Sequence, residues 1–429
     1  MEGVGSKWPM FNWLARGFRG DLLHNRDFLR LWAGQTVSVA GSQIGNFALP
    51  LVAILTLNAS SLQLGVMRGL STLPYFLIAL LAGVWVDRLR RRPVLIASDV
   101  WRGLITISVP AAALIGILSI NQLFAVAFLV GVGTVLFEFA YASYLPHLVG
   151  RDALLEGNSK LQLSQSAFAI AGPGIAGALV QALTAPIAVL VDGISFLASA
   201  ASLLLIRKGE PPPESGAERH LGRELREGFD FVRRQPFLRA QVATTATFNV
   251  FVSITLALQL LYLVRELHFQ PALIGFLFTL GAPGALIGSL LARPLAQRFG
   301  IGYSMIGAVL LNGLTCLLLP AASGPGLLAT VLVVGYAFCF GIALQVYNIN
   351  VISVRQAITP DRLLGRMNGV TRFVTWGIIP LASVFGGALG QWVGLRPALV
   401  VGGVGASLTV LWLLFSPARG WRTLAEATA

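Results

Sequence analysis

Twelve apolar runs, each long enough to cross a bilayer, organise the chain. They fall near residues 28–57, 62–86, 94–118, 121–146, 155–183 and 186–206, then near 237–264, 271–296, 301–322, 326–353, 365–392 and 395–416. A spanning helix needs about 20 apolar residues. Within hydrocarbon every backbone N–H and C=O must be paired inside the protein, so such runs predict helices. A membrane β-barrel would show alternating segments of about ten residues, and none is visible. Hydrophobic residues make up 55% of the chain, enough to fill twelve spans, and charged residues only 11%, less than half of the ~25% usual in soluble domains. A soluble enzyme, a disordered chain and a disulfide-stapled secreted domain are excluded on those grounds. The predicted fold is an all-α polytopic membrane protein with 12 transmembrane helices.

One long polar stretch interrupts the runs. Residues 207–236 contain Pro211, Pro212 and Pro213 and open a charged amphipathic stretch from Glu224 to Arg239. This reads as a linker with one interfacial helix. It separates a six-helix unit at 28–206 from a second at 237–416, flanked by an N-terminal segment 1–27 and a tail 417–429. In the N-terminal segment Trp8, Phe11, Trp13, Leu14 and Phe18 suit a helix lying in the interface, and no cleavable signal is visible.

The formal net charge of +13 sits mostly in short loops. The N-terminal segment, Arg88–Arg92, Arg151, the linker, Arg293, Arg298, Arg355, Arg362, Arg366, Arg419 and Arg422 fall on one side. Only Arg265 and Arg396 fall on the other. This bias predicts that both termini are cytoplasmic, and it explains the charge without nucleic acid. Cys316 and Cys339 lie in apolar runs and read as core thiols. The four histidines are scattered, so no metal site and no cofactor is expected.

The two units carry traces of a repeat. Gly83 and Arg88 precede Gly288 and Arg293 by 205 residues, Pro173 precedes Pro380 by 207, and Asn158 precedes Asn368 by 210. Near-constant offsets point to a duplicated six-helix unit, as in parallel-repeat transporters.

At Gly83-Val84-Trp85-Val86-Asp87-Arg88-Leu89-Arg90-Arg91-Arg92 the chain resembles the major facilitator superfamily, whose loop between helices 2 and 3 reads G-x-x-x-D-R-x-x-R-R. The second unit keeps only Gly288 and Arg293, with Ala292 where the acid would stand. Ala171-Gly172-Pro173-Gly174-Ile175-Ala176-Gly177 looks like the helix-5 G-P-x-x-G element associated with exporters. Asp99-Val-Trp-Arg102, Ser164-Gln165-Ser166 and Ser195–Ala200 are similar to the branch that holds the enterobactin exporter and the macrolide efflux pumps. The resemblance covers about 28–416 and implies a gating latch of Gly83, Asp87, Arg88, Arg91 and Arg92, sealing the cytoplasmic side in the outward-facing state. It also implies a bend in helix 5 at Gly172, Pro173 and Gly177. Span 4 departs from the drug/proton pattern: it lacks an arginine and carries Glu138.

Ionisable residues inside a span cost at least ~2.5–3.5 kcal/mol, so each calls for a partner. Asp99 and Arg102 are i,i+3 neighbours and can pair. Glu138 can pair with Arg91 or Arg102. Arg68 and Asp192 lie at similar depth and are a further candidate pair. Together these form a charge network or a proton site, and both readings stay open. The resemblance assigns the central cavity to spans 1, 4, 7 and 10. Gln35, Gln43 and Asn46, then Asn249, Gln259, Gln345 and Asn348, are its candidate polar lining, joined by Arg372 of span 11.

Few fixed charges suit a bulky amphipathic substrate. No G-x-x-x-x-G-K-[ST] loop occurs, which excludes an ATP-driven pump, and no convergent nucleophile or metal set suggests an enzyme. The expected activity is secondary export of drug, macrolide or siderophore-like molecules by alternating access in a bacterial inner membrane. Protons are the expected coupling ion, lipids surround the chain, and one chain forms the functional unit. A lipid or lysolipid facilitator of the same fold, without proton coupling, is the alternative.

Overall fold

The computed structural model describes residues 21–78, 89–210 and 221–428. Among them all regular structure is helical. Eleven of the described helices are long and apolar enough to cross a membrane. The twelfth expected span is Ser61–Leu77, which stops near the edge of the described residues. The predicted N-terminal interfacial helix lies outside the described residues.

The first half comprises span 1 (Arg26–Leu51, extended by a π turn Val52–Thr56), span 2 (Ser61–Leu77), span 3 (Arg91–Leu114), span 4 (Ile120–Val149), span 5 (Leu154–Ala182) and span 6 (Ala185–Leu204). The second comprises span 7 (Pro236–Arg265), span 8 (Pro271–Gly281 and Pro283–Phe299), span 9 (Ile301–Cys316), span 10 (Leu327–Ile358), span 11 (Asp361–Gly377 and Ile379–Val393) and span 12 (Leu395–Leu408 and Val410–Leu414). Local chemistry sets several of these ends. The Asn25 side chain accepts from the N–H groups of Asp27 and Phe28 at the start of span 1. Ser60 and Gln63 form a reciprocal capping box at the start of span 2. Pro186, Pro236 and Pro271 each stand in a first helical turn, where the missing N–H costs nothing. Pro283 follows a one-residue break at Ala282, and Pro380 stands second in the helix that resumes after a break at Ile378, because proline cannot continue the i→i−4 ladder.

The linker helix runs Leu221–Arg234 and does not extend to Arg239. Gln235 adopts an extended backbone ahead of Pro236, which opens span 7, so Arg239 belongs to that span. The linker helix packs on the first turns of span 11: Gly228 lies against the Arg366 carbonyl and Val370, and Glu227 pairs with Arg366.

Within the first half, span 1 packs on spans 5 and 6, span 3 on spans 4 and 6, and span 2 on span 4. Within the second, span 7 packs on spans 11 and 12, and span 10 on spans 8 and 9. The halves meet along two main seams, span 2 with span 11 and span 5 with span 8, and span 2 also touches span 7. Asp21–His24, the linker helix, residues 417–428 and the starts of odd-numbered spans share one end of the bundle, the terminal end.

Candidate functional site

The two seams lie toward the far end, away from the termini. In one, Gly65 faces Gly387, and an added Cβ on Gly65 would come within 2.8 Å of the Gly387 Cα. Gly69 lies against the Pro380 carbonyl. In the other, Gly177 faces Pro271 and Gly275, and Gly275 lies against the Pro173 carbonyl. Small residues let these backbones touch. Polar contacts complete the closure. The Gly174 N–H donates to Thr279 Oγ1 at 3.0 Å, and Gln181 bonds Gln270 at 2.8 Å and the Ala272 N–H at 3.1 Å. Arg265 donates to the Ala59 carbonyl at 2.9 Å. Phe47 of span 1 meets Phe278 of span 8 edge-on. Span 5 stays one continuous helix through Pro173. The Gly172–Gly177 element therefore acts as the contact surface for span 8.

The seam contacts end near mid-span with Phe76 stacked on Phe373 at 5.0 Å and Tyr75 against Trp376 at 6.0 Å. Toward the terminal end, the seam helices turn exposed side chains outward: Leu155 (82%) and Leu163 on span 5, Leu290 (74%) on span 8. Glu138 and Arg372, well inside spans 4 and 11, are exposed as well, so the space between the halves opens toward the terminal end.

Glu138 sits at the head of this space, exposed although eleven residues in from the end of span 4 at Val149. It accepts a hydrogen bond from the Tyr75 hydroxyl at 2.9 Å. Neither expected arginine partners it: Arg91 pairs with Glu210 and Arg102 with Asp99. Across the seam Arg372, exposed and eleven residues in from Asp361, stacks over Trp376 at 5.2 Å. An acid, a phenol, an indole and a guanidinium from spans 2, 4 and 11 thus gather at one depth.

The Asp99–Arg102 pair forms as its spacing predicts and is buried. The Arg102 guanidinium lies between the Phe137 and Phe196 rings, 4.4 and 4.3 Å from their centroids, so cation–π attraction from spans 4 and 6 supplements the ion pair. Asp192 is not a partner of Arg68. It is buried behind span 1, where the Ser42 hydroxyl reaches it at 3.5 Å and Gly41 and Gly45 leave room for it and its helix. Arg68 of span 2 is in no ion pair among the described residues, and its Nε is buried without a hydrogen-bond partner, while the Tyr336 hydroxyl of span 10 donates to Gln259 at 3.0 Å. Equal depth matched Arg68 with Asp192 in the sequence, but the two form no ion pair.

Gly83, Asp87 and Arg88 of the expected latch lie outside the described residues. Arg91 and Arg92 start span 3, and their partners lie at the start of the linker and at the end of span 6, not in the second half. The Glu210 carboxylate accepts from both backbone N–H groups, at 2.7 and 3.0 Å, a favourable place for an anion at a helix N-terminus. The Arg92 side chain donates to the Leu203 and Leu204 carbonyls that end span 6. Asp27 accepts from the Arg207 and Lys208 N–H groups, and Lys208 Nζ donates to the His147 and Leu148 carbonyls. These bonds tie spans 1, 3, 4 and 6 together at the terminal end.

The expected cavity polars divide. Gln35 donates to Ser199 of span 6 at 3.4 Å, Asn249 to the Thr375 carbonyl at 2.6 Å, and Gln259 serves Tyr336, so these three join helices. Gln43 packs its stem on Gly172. Asn46 is exposed, and Gln345 and Asn348 are half-exposed. Tyr75, Trp376, Glu210 and the Lys160–Glu156 pair at 3.2 Å were not singled out from sequence. The i,i+4 spacing of Glu156 and Lys160 was a usable signal.

Two six-span halves, closed by glycine seams at one end and parted at the other, define the two-bundle architecture of a membrane transporter. The chain belongs to the major facilitator superfamily: the family model described as "Transmembrane secretion effector" matches residues 22–428. Its members and relatives are transporters, and the chain is a transporter and not an enzyme. It is 25% identical over 391 residues to the uncharacterized MFS-type transporter YfiS of Bacillus subtilis, covering 89% of this chain and 90% of that one. It is 29% identical to the multidrug efflux pump Tap of Mycolicibacterium fortuitum (88% and 91% covered). It is 26% identical to the enterobactin exporter EntS of Escherichia coli (89% and 86% covered). Among solved structures, a bacterial homologue of the iron transporter ferroportin in its inward-facing state matches with TM-score 0.72 at 18% identity, covering 92% of this chain and 99% of that one. A ferroportin homologue in the outward-facing state gives 0.56 at 18% identity, covering 90% and 98%.

Proposed function

We propose that this chain is a secondary exporter of bulky amphipathic small molecules, working by alternating access in a bacterial inner membrane as a single chain. The observation that carries the reading is the one-sided closure: glycine seams at the far end, and an open space whose head holds Glu138 and its aromatic neighbours. With the termini cytoplasmic, as the basic loops favour, this is the substrate-loading state. The better match to an inward-facing than to an outward-facing relative agrees. The relatives named for multidrug efflux and enterobactin export support the direction and the substrate class. Arg91, Arg92 and the latch loop would engage across the halves in the opposite state.

Coupling to protons follows from charge arithmetic in the first half. Asp99 and Asp192 are both buried, and the Arg102 guanidinium is paired with Asp99. One guanidinium neutralises one carboxylate, and a second buried charge without a partner costs several kcal/mol. Asp192, reached by serine hydroxyls and in no ion pair with a described cation, is therefore the site that takes up and releases a proton, while Asp99 and Arg102 hold the spans together. The exposed apolar faces of spans 5 and 8 favour a second reading, a lipid or lysolipid facilitator reached sideways from the bilayer.

The test is efflux from proteoliposomes preloaded with a macrolide, a catecholate siderophore or a fluorescent lipophilic cation, with and without a pH gradient. Gradient-dependent efflux of one probe, reduced to passive exchange in Asp192→Asn, is the expected result. Efflux that keeps its full gradient dependence in Asp192→Asn removes Asp192 as the coupling group. Movement of lipid analogues regardless of the gradient, with no probe transported, replaces the exporter by the facilitator.

A further inference from the structure

A second cavity lies outside the central space, on the outer face of the second half at the terminal end. It has a volume of about 380 Å³ and runs between spans 8, 9 and 10. Its walls are apolar: Leu295 and Phe299 from span 8, Leu311 from span 9, Val346 from span 10. From Tyr303 to Leu311 it extends about 12 Å along span 9, close to the ~15 Å depth of one hydrocarbon leaflet. Its floor is left open at Gly307, where an added Cβ would meet nothing within 4 Å.

Two polar features mark it as more than a dent in a lipid-facing surface. Ser304 lines the groove, is 7% exposed, and its hydroxyl has no hydrogen-bond partner. A buried hydroxyl without a partner is unfavourable, so this one is set to bond a group that enters the groove. At the terminal-end rim Arg298 lies over the Phe299 ring at 5.5 Å, exposed and in no ion pair with any described acid. Arg293 is exposed nearby on the same helix, likewise without a described acid. The groove thus offers an apolar slot of leaflet depth, then a hydroxyl, then a cationic rim.

We infer that this groove is a binding site for one anionic phospholipid. One acyl chain fills the slot over Gly307, the Ser304 hydroxyl donates to an ester oxygen, and the phosphate rests on Arg298. A zwitterionic lipid fits the slot but gains less from the rim. Free phosphate gains nothing from the apolar walls.

Native mass spectrometry of the full chain, released from mixed micelles of phosphatidylglycerol and phosphatidylcholine, tests this. The wild-type chain should retain one phosphatidylglycerol with about fivefold preference, the equivalent of the ~1 kcal/mol a basic residue contributes beside anionic lipid. Gly307→Trp fills the slot and should abolish retention of both lipids. Arg298→Gln should keep retention and equalise the two. Thermal melting checks that each variant is folded, and Leu311→Trp replaces Gly307→Trp if that variant is not. Equal retention of the two lipids by the wild-type chain overturns the inference. So does undiminished phosphatidylglycerol on a folded slot-filled variant, or its displacement by a macrolide or lipophilic cation, which would make the groove a substrate site.

Discussion

The two seams that close the far end share one backbone device but differ in what surrounds it. Span 2 meets span 11 through Gly65 and Gly387; span 5 meets span 8 through Gly177 and Gly275. A proline carbonyl faces a glycine in each, Pro380 against Gly69 and Pro173 against Gly275. Beyond that the 5–8 seam is polar, with Gly174 bonded to Thr279 and Gln181 to Gln270. The 2–11 seam continues into the Phe76–Phe373 and Tyr75–Trp376 contacts, and the Ser383 hydroxyl in it is buried without a partner. Directional hydrogen bonds break over a short displacement, whereas aromatic contacts keep part of their attraction as the rings slide. Under the proposed alternating access, the difference predicts that the 5–8 seam unlocks and that the 2–11 seam pivots beside Glu138.

The largest expected effect comes from the glycines common to both. A leucine at Gly275 would drive its side chain into the Pro173 carbonyl, and one at Gly65 into the Ser383 carbonyl and Gly387. Overpacking of this kind costs about 1–3 kcal/mol, a roughly 5- to 150-fold shift away from the closed far end. Spin-label distances across the far end should lengthen in Gly275→Leu and in Gly65→Leu, and efflux should fall with them. Lengthening in one variant only would assign closure to a single seam and end the comparison.

Trp376→Ala separates the seams next. It removes the Tyr75 contact and the ring under Arg372. An aromatic pair is worth about 0.5–1.5 kcal/mol beyond its buried area, so substrate half-saturation should rise up to about tenfold. The far-end distances should stay as in the wild-type chain. A Trp376→Ala variant with unchanged half-saturation and a loosened far end would make these aromatics closure elements and remove them from the cavity.

The spans were legible because the bilayer imposes length and apolarity on them, and the Asp99–Arg102 pair because i,i+3 spacing alone brings its members together. Depth could also be counted along each helix. What could not be counted is azimuth, the direction in which a side chain leaves its helix within the bundle. Arg68 and Asp192 share a depth, yet Asp192 lies against Ser42 of span 1 and the two form no ion pair. Tyr75, 63 residues from Glu138, reads in sequence as one more apolar aromatic, and only helix packing makes it the acid's partner. Glu210 reads as an ordinary linker acid until the start of span 3 is placed over it.

The smallest effects belong to the polar half of the comparison. Thr279→Val keeps the side-chain shape and removes the acceptor of the Gly174 N–H, a bond worth about 0.5–1.5 kcal/mol. The closed far end should lose about threefold in population, read from the same spin-label distances. Gln181 is exposed, so water can replace its bonds to Gln270 and Ala272. Gln181→Leu should therefore move the distances by less than about twofold in population. If Gln181→Leu matched or exceeded Thr279→Val, the outermost bonds would govern unlocking, and the Pro173–Gly174 contact would be packing alone.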